Sequence, residues 1–196
     1  MRVQIAVMSA AVLALGIAGA AAQGADPKHV VTGAAAKEMG EANQINAATA
    51  KAVARACERM AAERNMGAAI IILDNFGNVV HFHRMDQAAR RTAISTAEMK
   101  ARTALMTRRP TSLRQYAVEQ NPGNMGREFS MGYFPTSGGL PIWSRDQIVG
   151  FIGVGGMNPR PPEWSDEICA HRALTEVLGP QPALPPPPAR AAGAAR

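Results

Sequence analysis

Two histidines separated by one residue, His81 and His83, have the side-chain type and spacing that suit metal ligation. Both lie in a β-rich run. Because alternate side chains of a strand point to the same face, the two imidazoles are predicted to share one face and Phe82 the other. Imidazole nitrogen is the commonest protein ligand of transition metals. Two histidines alone make a weak metal site, so a structural role for each stays open.

A positively charged stretch follows these histidines. Between residues 84 and 114, eight basic residues stand against two acidic residues, Asp86 and Glu98. Such a local excess attracts anionic ligands, and the alternative is a solvated helix face. The basic residues are Arg84, Arg90, Arg91, Lys100, Arg102, Arg108, Arg109 and Arg114.

Glu98 and Lys100 lie in one predicted helix and have the side-chain types of a general acid and a general base. Residues two apart on a helix point to different faces, so their spacing argues against an acid–base pair.

The motifs that would identify common enzymes are absent. The glycine-rich run 150–156 is neither G-x-G-x-x-G nor the G-K-[ST] of a P-loop. The sequence also lacks G-x-S-x-G, H-E-x-x-H and C-x-x-C-H. A covalent c-type haem is therefore excluded, and a binding protein is favoured over an enzyme.

The two cysteines, Cys57 and Cys169, both lie on apolar faces of predicted helices. A disulfide requires their Cα atoms to approach within about 7 Å, which would make the first and last helices neighbours. We expect two buried free thiols, with a disulfide as the alternative.

The termini differ in composition from the rest of the chain. Residues 1–22 have the form of a signal peptide: a basic Arg2, an apolar run and alanines at 20–22. We therefore expect a periplasmic or secreted protein with no membrane span after cleavage. Residues 23–42 are a leader of uncertain order, 43–179 one domain, and the Pro- and Ala-rich 180–196 a disordered tail. Export and the low aromatic content, 5%, argue against a nucleic-acid partner.

Hydrophobic periodicity places these residues on a mixed framework. Helices are predicted over 42–64, 91–106, 113–119 and 163–178, and a hairpin over 67–84. About three more strands are expected within 131–155, with a turn at 144–147. The order α-β-β-α-α-β-β-β-α predicts an α/β (α+β) fold, with an antiparallel sheet of about five strands flanked by helices.

Several segments together resemble the GlcG/HbpS family of haem-binding or haem-degrading-like domains. They are IIILD at 70–74 with Gly77-Asn78, RMD at 84–86, STAEMKA at 95–101, PTSL at 110–113, GGLPI at 138–142 and VGFIGV at 149–154. The resemblance covers about 43–178 and implies a five-stranded antiparallel sheet and a homo-oligomer. It implies haem or a related tetrapyrrole as a non-covalent ligand, or a role in glycolate utilisation.

The resemblance and the local charge together predict one ligand pocket. Its residues are Arg84, Met85, Asp86, Glu98, Lys100, Thr103, Gly138 and Gly139, with His83 or His81 as candidate haem axial ligands. Near this pocket, Gln87 and Gly155 depart from the usual Gly and Ser of the family. Lys100→Ala and Arg84→Ala are each expected to weaken ligand binding without unfolding the domain. The alternative function is an enzyme or enzyme accessory acting on a small hydroxy acid such as glycolate.

Overall fold

The computed structural model describes residues 24–38, 43–88, 92–157 and 164–187. The predicted signal peptide, 1–22, lies outside the described residues. In the described ranges, no helix is both long enough and apolar enough to cross a membrane.

Two hairpins form one antiparallel sheet. Its strands are β1 (Ala69–Leu73), β2 (Val79–Arg84), β3 (Gly139–Ser144) and β4 (Gln147–Gly155). Their order is β2-β1-β4-β3, so the hairpins meet through β1 and β4. The central strands, β1 and β4, are apolar and buried over most of their length, whereas β2 is a partly exposed edge strand.

Helices cover both faces of this sheet. α3 (Ala93–Thr107) packs on one face, chiefly against β4 and β1. α2 (Ala47–Ala62) and α6 (Asp166–Leu178) pack on the other. α3 buries alanines at helical spacing, so its backbone lies very close to the sheet. A Cβ on Gly153 would lie only 2.0 Å from the Ala97 carbonyl oxygen, which explains the glycine in the middle of β4.

The predicted α+β class is confirmed, with four strands in the sheet instead of about five. Residues 131–138 form no strand, because Gly132 and Gly138 adopt positive φ angles and Pro135 has no backbone donor. The remaining helices are α1 (Gly33–Glu38), α4 (Ser112–Gln120), α5 (Asn124–Ser130) and a short 3-10 helix, Pro27–His29. Of these four helices, only α4 was predicted from the sequence.

The leader also contributes to the folded unit. Val30 is buried and bridges Ile45. His29 is buried too, with its Nδ1 atom 3.1 Å from Ser144 Oγ. The ordered structure therefore begins before the predicted boundary at residue 43.

Gln181 contacts β3 and residues 181–185 line a cavity with it, whereas the whole of 180–196 was predicted to be disordered. The Gln181 side chain accepts from the backbone N–H of Trp143 at 3.1 Å and donates to the Trp143 carbonyl at 2.9 Å. A side chain thus pairs with the free edge of β3, which composition alone does not reveal. Residues 188–196 lie outside the described residues.

Cys57 and Cys169 form a disulfide, with their Cα atoms 5.3 Å apart. The prediction of two free thiols is wrong, because α2 and α6 are neighbours on the same face of the sheet. Both cysteines are completely buried and 112 residues apart in sequence, so the bond crosslinks two distant helices within the core.

Candidate functional site

The residues of the predicted pocket lie towards one end of the sheet but on opposite edges. Arg84 ends β2 at one edge, and Gly139 begins β3 at the other. Three strand spacings, about 14 Å in all, separate them. The backbone of α3 lies against β4 between the two edges, as the Gly153 contact shows. The structure therefore does not bring Arg84 together with Gly138 and Gly139, and the single predicted pocket is divided.

Lys100 already has a partner inside the protein. Its ammonium lies 2.6 Å from Asp166 Oδ2 and donates to the Val154 carbonyl at 3.1 Å. Gly138 packs directly over this pair, where a Cβ would lie 3.0 Å from the Lys100 Nζ atom. Lys100 is only 3% exposed. It therefore ties α3 to β4 and α6. The sequence predicted that Lys100 would bind the carboxylate of a ligand, but its ammonium is already paired inside the protein.

Two acidic residues at the start of α6 complete this buried cluster. Asp166 Oδ1 accepts from the Met157 N–H at 3.1 Å, and Glu167 Oε1 lies 3.4 Å from the Ser112 backbone nitrogen. Burial raises the pKa of both carboxyls, opposed by Lys100 at Asp166 and by hydrogen bonds from Ser112 at Glu167. The sequence analysis did not assign these two residues to the site. The available signal was an Asp-Glu pair in the first turn of a helix.

Glu98 and Lys100 do not converge, in agreement with their spacing. Glu98 forms an ion pair with Arg102 one turn further along α3, at 2.9 Å, while Lys100 points inward. Thr103 Oγ1 donates to the Met99 carbonyl and accepts from the Phe134 N–H, both at 2.8 Å. These contacts give no support to an acid–base site on α3.

Met85 and Asp86, the two residues that follow β2, also lie in different environments. The Met85 side chain is buried, and its sulfur accepts from the Ala68 N–H at 3.3 Å. Asp86 is exposed in the turn that follows. Met85 is therefore a core residue in this fold.

His81 and His83 do share one face of β2, as predicted. In the pairing of β1 with β2, His81 lies opposite Ile72 and His83 opposite Ile70, and both isoleucine side chains face the core under α2. Phe82 lies opposite Ile71, on the other face of the sheet. Both imidazoles line a cavity of about 380 Å³. We call it the α2–β2 cavity; its lining is Lys51, Ala54, Arg55, Glu58, His81 and His83.

The two imidazoles are in different environments. His83 Nε2 lies 3.3 Å from Glu58 Oε1, without the alignment of a hydrogen bond. Burial lowers the pKa of His81, and the charges of His83, Lys51 and Arg55 add to the effect. His81 is therefore held in the neutral form that ligates metals.

A second cavity lies at the opposite edge of the sheet. It has a volume of about 200 Å³ and is formed by β3, α6, the end of α3 and residues 181–185. We call it the β3–α6 cleft. Its polar groups come from Arg108, Trp143, His171 and Gln181, and its walls are otherwise leucine, proline and alanine. The cleft was not predicted from the sequence, because the segment that closes it was expected to be disordered.

Comparison with known proteins identifies relatives of this chain. Residues 45–175 match the family model described as haem degrading protein HbpS-like. An uncharacterized 15.0 kDa protein from the dhaT-dhaS intergenic region of Citrobacter freundii is 31% identical over 114 residues, which are 57% of this chain and 80% of that protein.

Solved structures share the fold. A double mutant of Streptomyces reticuli HbpS superimposes with a TM-score of 0.59 at 28% identity, covering 76% of this chain and 94% of that one. The PduOC:heme complex gives a TM-score of 0.58 at 21% identity, covering 67% and 94%. At this lower identity, the comparison with the PduOC:heme complex shows a shared fold alone.

Proposed function

The chain belongs to the HbpS-like family of haem-degrading proteins, and from this premise we propose that it binds haem or a related tetrapyrrole non-covalently in the α2–β2 cavity. The observation that carries the proposal is that His81 and His83 line one cavity together with Lys51 and Arg55. Haem combines an iron that accepts imidazole with two anionic propionates, and this lining offers both kinds of partner.

The histidines fit the role of axial ligand. The Nε2 atom of His83 is buried and has no hydrogen bond among the described residues. Burial lowers the pKa of His81, which keeps it neutral, as iron ligation requires. A bound haem would supply the redox-active iron. The protein's own contribution would be to hold and orient it through imidazole.

The cations fit the propionates. Lys51 and Arg55 are exposed residues one turn apart on α2, so both can reach a ligand that projects from the cavity. Charge-assisted hydrogen bonds to carboxylates are the strong kind. The cavity volume of about 380 Å³ lies within the range of about 300–1,000 Å³ typical of cofactor and small-molecule sites.

A haemin titration of the mature protein, followed by absorbance in the Soret region, tests the proposal. Binding at one site gives a sharpened band that saturates near one haem per chain. A broad band that grows without saturation means non-specific adsorption and contradicts the proposal.

We also propose that the protein works in the periplasm or is secreted. The signal-peptide features of residues 1–22 and the buried disulfide between Cys57 and Cys169 support this, because disulfides persist in oxidising compartments. Expression of the full chain in a bacterium, followed by fractionation and N-terminal sequencing, tests it. The expected product lies outside the cytoplasm and has lost residues 1–22; a full-length cytoplasmic product would contradict export.

Assembly into a homo-oligomer stays a prediction. The edge strand β2 exposes Val79 and Phe82 on the α3 side of the sheet, beyond the strands against which α3 packs, and these two side chains offer an apolar surface for contact between copies. Light scattering of the mature protein on a sizing column tests it, and a mass equal to one chain would contradict it.

A further inference from the structure

We propose that the β3–α6 cleft is a second binding site, which takes a small amphipathic carboxylate: a compact apolar body carrying one carboxylate group. Among the residues that the structure describes, Arg108 has no acidic partner, and it lines a small, mostly apolar cleft. This site is independent of the α2–β2 cavity, because β2 and β3 are the two opposite edges of the sheet.

Arg108 supplies the positive charge. It makes no ion pair in the part of the chain that the structure describes, although Asp146 lines the adjoining cavity. Its guanidinium lies 5.9 Å from the ring centroid of Phe151, a cation–π contact that leaves its donors free. A carboxylate that reached the cleft mouth would meet a planar donor suited to two parallel hydrogen bonds.

The backbone of Arg108 supports a functional role. The residue ends α3 in the left-handed conformation, with φ 54° and ψ 30°, where glycine or asparagine is the usual choice. A non-glycine residue held in this region is uncommon, and such residues cluster at functional sites. The left-handed turn directs Arg108 to the junction of two cavities, which it lines together with Trp143.

The walls of the cleft define the apolar part of the ligand. Leu140 and Leu174 form one side, and Pro182, Leu184 and Pro185 form another. The volume of about 200 Å³ lies below the range of about 300–1,000 Å³ typical of drug-sized ligands. The cleft therefore suits a ring or a short branched chain, and it is too small for a tetrapyrrole.

Polar contacts with β3 and with α6 hold the segment 181–185 in place as a wall of the cleft. Gln181 pairs with the backbone of Trp143, and His171 Nε2 lies 2.9 Å from the Pro182 carbonyl oxygen. These contacts preorganise the cleft, which reduces the ordering required when a ligand binds.

Benzoate is a suitable probe, with benzamide as a neutral molecule of nearly the same shape. The chain has two tryptophans, so a ¹⁵N-labelled sample gives two indole N–H signals. Trp143 lines the cleft, whereas the Trp164 indole is buried and donates to Met157 Sδ. We expect benzoate to shift the Trp143 signal saturably, to leave Trp164 unchanged, and to bind at least roughly tenfold more tightly than benzamide, since hydrogen bonds to charged groups are the stronger kind.

Two arginine variants complete the test. Arg108→Asn removes the guanidinium and keeps a residue that tolerates the left-handed conformation, and it should weaken benzoate binding at least roughly tenfold. Arg109→Asn, a neighbouring exposed arginine that does not line the cleft, should bind as the wild type does. The proposal is overturned if benzoate fails to shift Trp143, if benzamide binds equally well, or if Arg108→Asn binds benzoate normally. The haemin titration has no bearing on these outcomes.

Discussion

The ammonium of Lys100 and the carboxylate of Asp166 lie 2.6 Å apart, with both residues buried, and this ion pair joins the middle of α3 to the start of α6. Val154 of β4 accepts a second hydrogen bond from Lys100, so one side chain connects three elements. The pair is a structural crosslink in the region where the sequence analysis expected a ligand.

Removing one partner of this pair should destabilise the fold. Lys100→Met leaves the Asp166 carboxylate buried without compensation, and we expect the free energy of unfolding to fall by about 3–5 kcal/mol in urea titrations. Lys51→Met, at an exposed position of α2, should change it by less than about 0.5 kcal/mol. If Lys100→Met is as stable as the wild type, the ion pair does not hold these elements together. Weaker ligand binding by Lys100→Ala could then be attributed to the loss of a ligand contact.

Glu167 should make stability depend on pH. Burial raises its pKa above the ordinary value of 4.5, so the folded state holds the proton more tightly than the unfolded state does. Its stabilising contribution is therefore fully present below pH 4.5 and is lost as the pH rises through the folded-state pKa.

The variant Glu167→Gln isolates this effect, since an amide is always neutral. Unfolding free energies measured from below pH 4.5 to neutrality should fall less steeply for Glu167→Gln than for the wild type. Glu119→Gln, at an exposed position of α4, should follow the wild-type curve. Equal slopes for Glu167→Gln and the wild type would be incompatible with a raised pKa at this carboxyl.

The disulfide should account for a large share of the stability. Replacing Cys57 and Cys169 together by alanine releases a crosslink between positions 112 residues apart, and we expect a loss of about 2–5 kcal/mol. Unfolding in urea without reductant measures the loss. Dithiothreitol should lower the free energy of unfolding of the wild type only, because the double variant has no disulfide to reduce. If the wild type and the double variant unfold at the same urea concentration, the bond contributes nothing.

Haemin binding should tolerate mild acid. Burial lowers the pKa of His81 below the ordinary value of 6.5, so its imidazole stays neutral as the pH falls through 6.5 and becomes protonated only at lower pH. Haemin titrations at successive pH values should therefore show ligation persisting through pH 6.5 and then failing. Loss of binding well above pH 6.5 would mean that another group controls ligation.

Periodicity predicted most of the fold. The helix pattern over 42–64 appears as α2, and the alternation over 67–84 appears as the hairpin of β1 and β2. These patterns succeed because burial of one face dominates the energy of each element. The extra strand expected within 131–155 failed because Gly132 and Gly138 need backbone angles that no strand permits.

The site was less predictable, since it depends on which elements become neighbours. Strand parity correctly placed His81 and His83 on one face, a local property. The strand order, by contrast, puts Arg84 and Gly139 at opposite edges, and no spacing in the sequence shows this. The partner of Lys100, Asp166, is likewise 66 residues away. Gln181 pairs with Trp143 although its segment has the composition of a disordered tail.

The most direct test of haem binding in the α2–β2 cavity is a haemin titration of two histidine variants side by side. His81→Ala/His83→Ala removes both candidate axial ligands, while His171→Ala removes an imidazole that lines the β3–α6 cleft. We expect the first variant to lose the saturable, sharpened Soret band and the second to keep it. A double variant that still binds haemin with the wild-type spectrum and stoichiometry would contradict it.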